Sequence, residues 1–218
     1  GAEVLGIHLE GPYLNKNFKG AQPEQYCVQS NIEQFQRYWK ASGHLIKIIT
    51  MACERDTDYI LTRFCVQNGI VVSQGHSGAS AEEATMAIAN GASSMTHVYN
   101  GMSPFRHREP GLTGSAFRFR NVYGEMVCDG NHSTLDALNN FFYAKGSDTG
   151  IMITDSLCVK GLPSGTKVLF GGNEIELYAD GSAHLTATKG LAGSTLRMNM
   201  GLQILVEKAL VPWQTAIN

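Results

Sequence analysis

The sequence predicts an α/β fold, a (β/α)8 barrel of which part is present, and three observations carry that expectation. Six short apolar runs recur along the 218 residues, at 5–10, 46–54, 70–76, 94–97, 125–129 and 151–155. Each ends in a polar residue able to do chemistry: Glu10, Glu54, His76, His97, Asp129 and Asp155. Helical patterns separate most neighbouring runs, and repeated βα units with reactive residues at strand ends describe the working face of such a barrel. Length sets the extent. A complete barrel takes about 250 residues, whereas six strand candidates are found here, the first beginning almost at Val4. The chain therefore reads as one partial-barrel domain over 1–218, the middle of a longer protein that lacks the first strands.

Between the strands, residues 31–43 place Ile32, Phe35 and Tyr38/Trp39 on one helical face, with Gly43 as a stop. Asp56 is a candidate cap for a helix running to Asn68 and Gly69. Ser80-Ala81-Glu82-Glu83 has capping-box form, and that helix is expected to end at Asn90-Gly91. Ser133-Thr134 opens another, with Leu135, Leu138 and Phe141 on one face and an end at Lys145-Gly146. A last helix is expected from about 194 to 210. Two segments break the rhythm: a long loop over 100–120, and a glycine-rich stretch over 157–189 in which 174–177 and 183–186 read as a small hairpin. Long excursions of this kind commonly bind substrate.

Bulk properties narrow the function. Net charge is −2 and the isoelectric point about 6.4, so neither nucleic acid nor a membrane surface is an expected partner. No signal peptide and no apolar run long enough to span a bilayer are seen, which points to the cytoplasm. The five cysteines are odd in number and never paired as CxxC, as in a reducing compartment. Cys128 and Cys158 fall near reactive strand ends but read as buried, inert thiols.

The residue types at the strand ends suit a metal-dependent hydrolase. A catalytic zinc-like site takes about three nitrogen and carboxylate ligands and leaves a position open for water. Glu10, His76 and His97 supply that set from three separate strands. Each histidine alone reads better as a hydrogen-bonded rim residue; the three together favour a metal. Asp155 is placed to take a proton from an activated water and deliver it to a leaving nitrogen; its plainer reading is a turn residue before Ser156. His132 precedes a helix N-terminus, where anions are favoured, and otherwise reads as an exposed loop residue. Arg108, in the long loop, is a two-point anion ligand or simply a solvated side chain.

As a set, the motifs resemble the N-acetylglucosamine-6-phosphate deacetylase family of the amidohydrolase superfamily. They are His8-Leu9-Glu10-Gly11-Pro12, Lys19-Gly20-Ala21-Gln22, Gly75-His76-Ser77 and Thr96-His97-Val98-Tyr99-Asn100-Gly101-Met102. Arg108-Glu109-Pro110-Gly111, Asp129-Gly130-Asn131-His132, Thr154-Asp155 and Leu191-Ala192-Gly193-Ser194 complete the series. Each is weak alone; in this order, across nearly the whole chain, they are specific. The resemblance implies a TIM-like amidohydrolase barrel, with a small flanking β domain that is expected to be missing here. It implies Glu10, His76 and His97 as metal ligands, Asp155 as catalytic acid/base and His132 as a contact near the N-acetyl group. Asn100, the Gly101 backbone and Arg108 would hold the sugar phosphate. Ala21 and Gln22 would meet the substrate, and Leu191, Ala192 and Gly193 would line its pocket. The implied cofactor is a divalent metal, zinc first, with iron, cobalt or manganese as substitutes. Gln22 resembles members that carry an upstream His-x-His pair, so one or two ions per site are expected. The implied partner is a small amino-sugar phosphate, in a homodimeric enzyme of amino-sugar catabolism. The alternatives are another amide, such as N-acetylgalactosamine 6-phosphate, and a metal-free sugar-phosphate isomerase barrel.

Overall fold

The computed structural model describes residues 3–218, which form a six-stranded sheet in sequence order and a separate three-stranded sheet. The residues divide into two compact units.

The first unit takes the chain up to Lys19, 24–96 and 101–122. It holds β1 (Ile7–Glu10), β2 (Ile46–Met51), β3 (Val71–Gln74) and β4 (Ser94–Met95), each paired in parallel with the next. Parallel neighbours need a crossover, and α1 (Ile32–Ala41), α2 (Ile60–Gln67) and α3 (Ala81–Ala89) supply the three. Their apolar faces meet the sheet in one core: Phe35, Leu61 and Cys65 pack with Ile49, Met51 and Val72. Phe64 stands edge-on to both Phe35 and Trp39, at 6.2 and 5.9 Å between ring centroids. The capping box expected at Ser80 is formed: Glu83 N–H donates to Ser80 Oγ, and Ser80 N–H to Glu83 Oε2. Asp56 also caps, from further upstream than a standard N-cap. Its two oxygens accept from the backbone N–H of Leu61 and Thr62, across a Tyr59 in left-handed conformation.

The loop expected over 100–120 is corrected. It contains α4 (Gly111–Arg118), whose residues from Gly111 to Ala116 are all buried. A helix buried nearly all round shows no amphipathic period. Its small residues also mask it: a Cβ on Gly114 would meet Pro110 Cβ at 2.5 Å and the Phe105 ring at 2.7 Å.

The second unit takes 20–23, 97–100 and 123–218. β5 (Tyr123–Val127) pairs in parallel with β6 (Gly150–Ile153) through α5 (Leu135–Thr149), capped by Thr134. Gly124 and Gly150, opposite each other in register, leave room for Phe141 and Phe142 of α5. The helix leaves regular geometry at Gly146, the residue the sequence marked as its end. The expected hairpin gains a third strand. β7 (Lys167–Phe170), β8 (Asn173–Leu177) and β9 (Ala183–Leu185) form an antiparallel sheet over its own core of Val159, Ile175, Leu177, Ala183, Leu185 and Ala192. The helix expected from about 194 to 210 starts at Met198 and widens into a π-helical turn at Ile204–Lys208, and a short helix follows at Trp213–Ala216. Cys158 is exposed, against expectation; the other four cysteines are buried. Burial pushes the thiols of Cys53, Cys65 and Cys128 up, that of Cys65 to about 12, so none of these three is poised as a thiolate. No helix among the described residues is long and apolar enough to cross a membrane.

Candidate metal centre and substrate residues

The strand ends carry the candidate chemistry. Glu10 closes β1. His76, His97, Asp129 and Asp155 each lie two residues beyond the last residue of β3, β4, β5 and β6. Three of these four turn in left-handed backbone, with φ of 48° at His76, 32° at His97 and 49° at Asp155. A non-glycine residue there costs roughly 1 kcal/mol or more, and such strain concentrates where a site needs a particular side-chain direction. At His76 the turn is permitted by Gly75: a Cβ there would lie 2.9 Å from both Thr50 Cγ2 and Thr96 Cβ.

His76 is gripped at both ring nitrogens. Nδ1 is 2.8 Å from the Phe18 carbonyl oxygen and Nε2 is 2.6 Å from Glu10 Oε1. A carbonyl only accepts, so Nδ1 carries a proton; an ionised carboxylate only accepts as well. A neutral imidazole has a single N–H and cannot serve both. The arrangement calls for a positive charge on the Nε2 side, from a second ring proton or from a cation shared by Nε2 and Glu10. Among the described residues, Glu10, His76 and His97 form a group whose ligand atoms lie within 4.8 Å of one another, with both histidines buried. Two imidazoles and a carboxylate form a standard donor set for a catalytic divalent ion. The Nδ1–H to carbonyl bond is the outer-shell contact such a ligand uses to fix its tautomer. The residues fit a metal.

Asp155 is held by the segment that resemblance placed around the substrate. Ser194 N–H donates to the Asp155 carbonyl at 2.8 Å, Ser194 Oγ to the Thr154 carbonyl, and Leu157 N–H returns a bond to Ser194 O at 2.9 Å. Gly193 is close enough that a Cβ would meet Leu157 Cδ2 at 2.9 Å and Asp155 O at 3.1 Å. Leu191, Ala192 and Gly193 are thus brought beside Asp155.

His132 has a partner that sequence reasoning missed. Its Nδ1 lies 2.7 Å from Asp129 Oδ2, while the backbone N–H groups of Asn131 and His132 donate to Asp129 Oδ1. Burial raises the Asp129 pKa, but these hydrogen bonds and the imidazole outweigh it and hold the carboxyl below its ordinary value. The i, i+3 spacing of Asp129 and His132 was the signal available in the sequence.

The other substrate candidates are less gathered. Ala21 packs on the three-stranded sheet and its carbonyl accepts from Asn173 Nδ2 at 3.0 Å; Gln22, the next residue, is half-buried. Asn100 turns its amide back on the Val98 carbonyl at 3.4 Å. Gly101 has φ of 57°, and its carbonyl accepts from Ser77 N–H at 2.9 Å. Arg108 is exposed beside a cavity of about 570 Å³ at the start of α3, which it shares with Arg106 and with Glu82, Glu83 and Glu109.

No protein-family model matches the chain. Similarity to individual proteins runs over the whole of this chain. The chain is 41% identical over 218 residues to N-acetylglucosamine-6-phosphate deacetylase of Bacillus subtilis, covering 100% of this chain and 54% of that protein. It is 32% identical to N-acetylgalactosamine-6-phosphate deacetylase of Escherichia coli O157:H7, covering 100% and 57%. Among solved structures, a mutant N-acetyl-D-glucosamine-6-phosphate deacetylase of Mycobacterium smegmatis, in complex with N-acetyl-D-glucosamine-6-phosphate, superposes with a TM-score of 0.92 at 29% identity. That match covers 97% of this chain and 55% of the other. The chain spans about half the length of the curated relatives it matches.

Proposed function

We propose that this chain, similar from end to end to N-acetylglucosamine-6-phosphate deacetylases, carries the core of a metal-dependent deacetylase site. The reaction is hydrolysis of the acetamide of N-acetylglucosamine 6-phosphate to acetate and glucosamine 6-phosphate. The observation that carries the reading is the grouping of Glu10, His76 and His97, in a chain whose relatives are named for this reaction.

Glu10, His76 and His97 would hold the ion, zinc first. Bound there, it would supply Lewis-acid polarisation of the amide carbonyl and a lowered pKa for the water that attacks. Asp155 accepts the proton of that water and delivers it to the amine nitrogen as the C–N bond breaks, so no net proton is lost from the residue. His132 in its doubly protonated form donates from Nδ1 to Asp129 and from Nε2 to the oxygen where charge develops. Asn100, the Gly101 backbone and Arg108 hold the phosphate; Ala21 and Gln22 meet the sugar, and Leu191, Ala192 and Gly193 close around the acetyl group. We place the intact enzyme in the cytoplasm as a homodimer serving amino-sugar catabolism.

The galactosamine reading is kept alive by the Escherichia coli relative. A metal-free isomerase has no use for a carboxylate and two histidines converging, nor for a His76 ring that faces oxygen acceptors on both sides. Acetate release by the intact, metal-loaded protein decides among these. The substrates are N-acetylglucosamine 6-phosphate, its galactosamine epimer and unphosphorylated N-acetylglucosamine. Fast release that needs both metal and phosphate, and prefers the glucosamine substrate, is the expected result. No release from any of them with metal bound would reject the reading.

A further inference from the structure

Glu54 belongs to none of the roles assigned above, yet it is hydrogen-bonded to both segments that fix His76. It follows β2 and is half-buried. Its Oε2 accepts from Ser77 Oγ at 2.5 Å, and its Oε1 accepts from Gly78 N–H at 2.6 Å. These are the two residues that follow His76. Oε1 also accepts from Asn15 Nδ2 at 2.8 Å. Asn15 caps the short 3-10 turn Lys16–Phe18, whose last carbonyl holds His76 Nδ1, and its own N–H donates to the His76 carbonyl at 2.9 Å. One carboxylate therefore ties the chain after His76 to the turn that orients its ring. The same carboxylate stands behind a residue held in left-handed backbone (φ 48°).

We infer that Glu54 is a positioning residue for the metal ligand His76, acting by geometry rather than by charge. The inference rests on the reading that His76 binds the ion. Three donors converge on two oxygens about one methylene beyond the reach of an aspartate. An amide can keep a bond to each of the same three groups, with the Ser77 bond reversed in direction. Its oxygen would accept from Asn15 and Gly78, and its NH2 would donate to Ser77 Oγ, which can accept. A geometric role thus predicts a crossover between two conservative variants. Glu54→Gln loses the charge and keeps the clamp; Glu54→Asp keeps the charge and loses the clamp.

The test uses the intact protein, with zinc affinity measured by chelator competition and the ligand-field spectrum recorded after cobalt substitution. Loss of an outer-shell partner typically weakens a metal 10–100-fold. Glu54→Asp and Glu54→Ala are expected to lose about that much zinc affinity and to alter the cobalt spectrum, while Glu54→Gln stays within a few-fold of wild type in both. Glu54→Ala is the variant most exposed to misfolding. Far-UV dichroism and thermal melts of Glu54→Asp and Glu54→Gln keep the comparison between folded proteins. Equal zinc affinity and identical spectra for Glu54→Asp and wild type would overturn the inference. So would a loss in Glu54→Gln as large as in Glu54→Asp, which would make the charge the cause. A His76→Ala control separates the two readings: if it binds zinc as tightly as wild type, the metal assignment itself fails.

Discussion

At Asp155 the backbone is held in a rare conformation by Ser194, whose N–H and hydroxyl bond the carbonyls of Asp155 and Thr154. The carboxyl is therefore aimed by its main chain, and its replacement by an isosteric amide should leave that aim intact. Asp155→Asn is expected to lower acetate release by about 10²–10⁴-fold, the usual contribution of a general acid–base group, with metal content unchanged by elemental analysis. Undiminished turnover would remove Asp155 from the proton path. Gly101 is the complementary case. A Cβ there would lie 2.8 Å from His76 Nδ1 and 2.9 Å from the Phe18 carbonyl oxygen, at a φ of 57°. Gly101→Ala should push the ring off its carbonyl anchor and weaken zinc binding by at least about 10-fold. Chelator competition reads this directly, and wild-type affinity would show that the ring accommodates the methyl.

Among the elements, α5 carries a titration with a defined sign. Lys145 is buried, and desolvation lowers its pKa from 10.5 to about 8. Below about pH 8 both folded and unfolded chains hold the proton, so stability does not change with pH on its account. Between about 8 and 10.5 the unfolded chain keeps a proton that the folded one has released, and stability rises with pH. Denaturant titrations from pH 7 to 10.5 should show that rise in the wild type and its loss in Lys145→Met. A parallel rise in both would assign the slope to another group. The capping box on α3 gives a simpler test. Ser80→Ala removes the acceptor for Glu83 N–H and is expected to cost about 1 kcal/mol, read as a lower urea midpoint.

For the whole molecule, an ion held as proposed by Glu10, His76 and His97 would join residues far apart in sequence and so would bind the folded state alone. Zinc at 100 times its dissociation constant should add about 2.7 kcal/mol to stability. The melting temperature should then fall on chelation and recover on adding zinc, and His76→Ala should show neither change. A chelation-insensitive melt would argue against a structural link between the ion and the fold.

Much of this molecule was written in local sequence. The apolar runs that became β1 to β6, the capping box at Ser80 and the helix break at Gly146 all follow from neighbours a few residues apart. Glu10, His76, His97 and Asp155 were legible as candidates because strand ends of this architecture carry the chemistry, and because the motifs around them run in one family's order. What failed had no local period to read. Helix α4 is buried on nearly all sides and rich in small residues, β7 became a strand through pairing with β8, and Cys158 turned out exposed.

The sequence by itself determined which residue types stand at the ends of the strands, since alternation, caps and breakers act over a few residues. Only the tertiary structure decided what those residues touch. The Phe18 carbonyl on His76, the Asp129 carboxylate behind His132 and the clamp of Glu54 on Asn15, Ser77 and Gly78 depend on distances across the fold. Of these only the Asp129–His132 pair is close in sequence. The others join residues from 23 to 58 positions apart, and no spacing rule spans such separations.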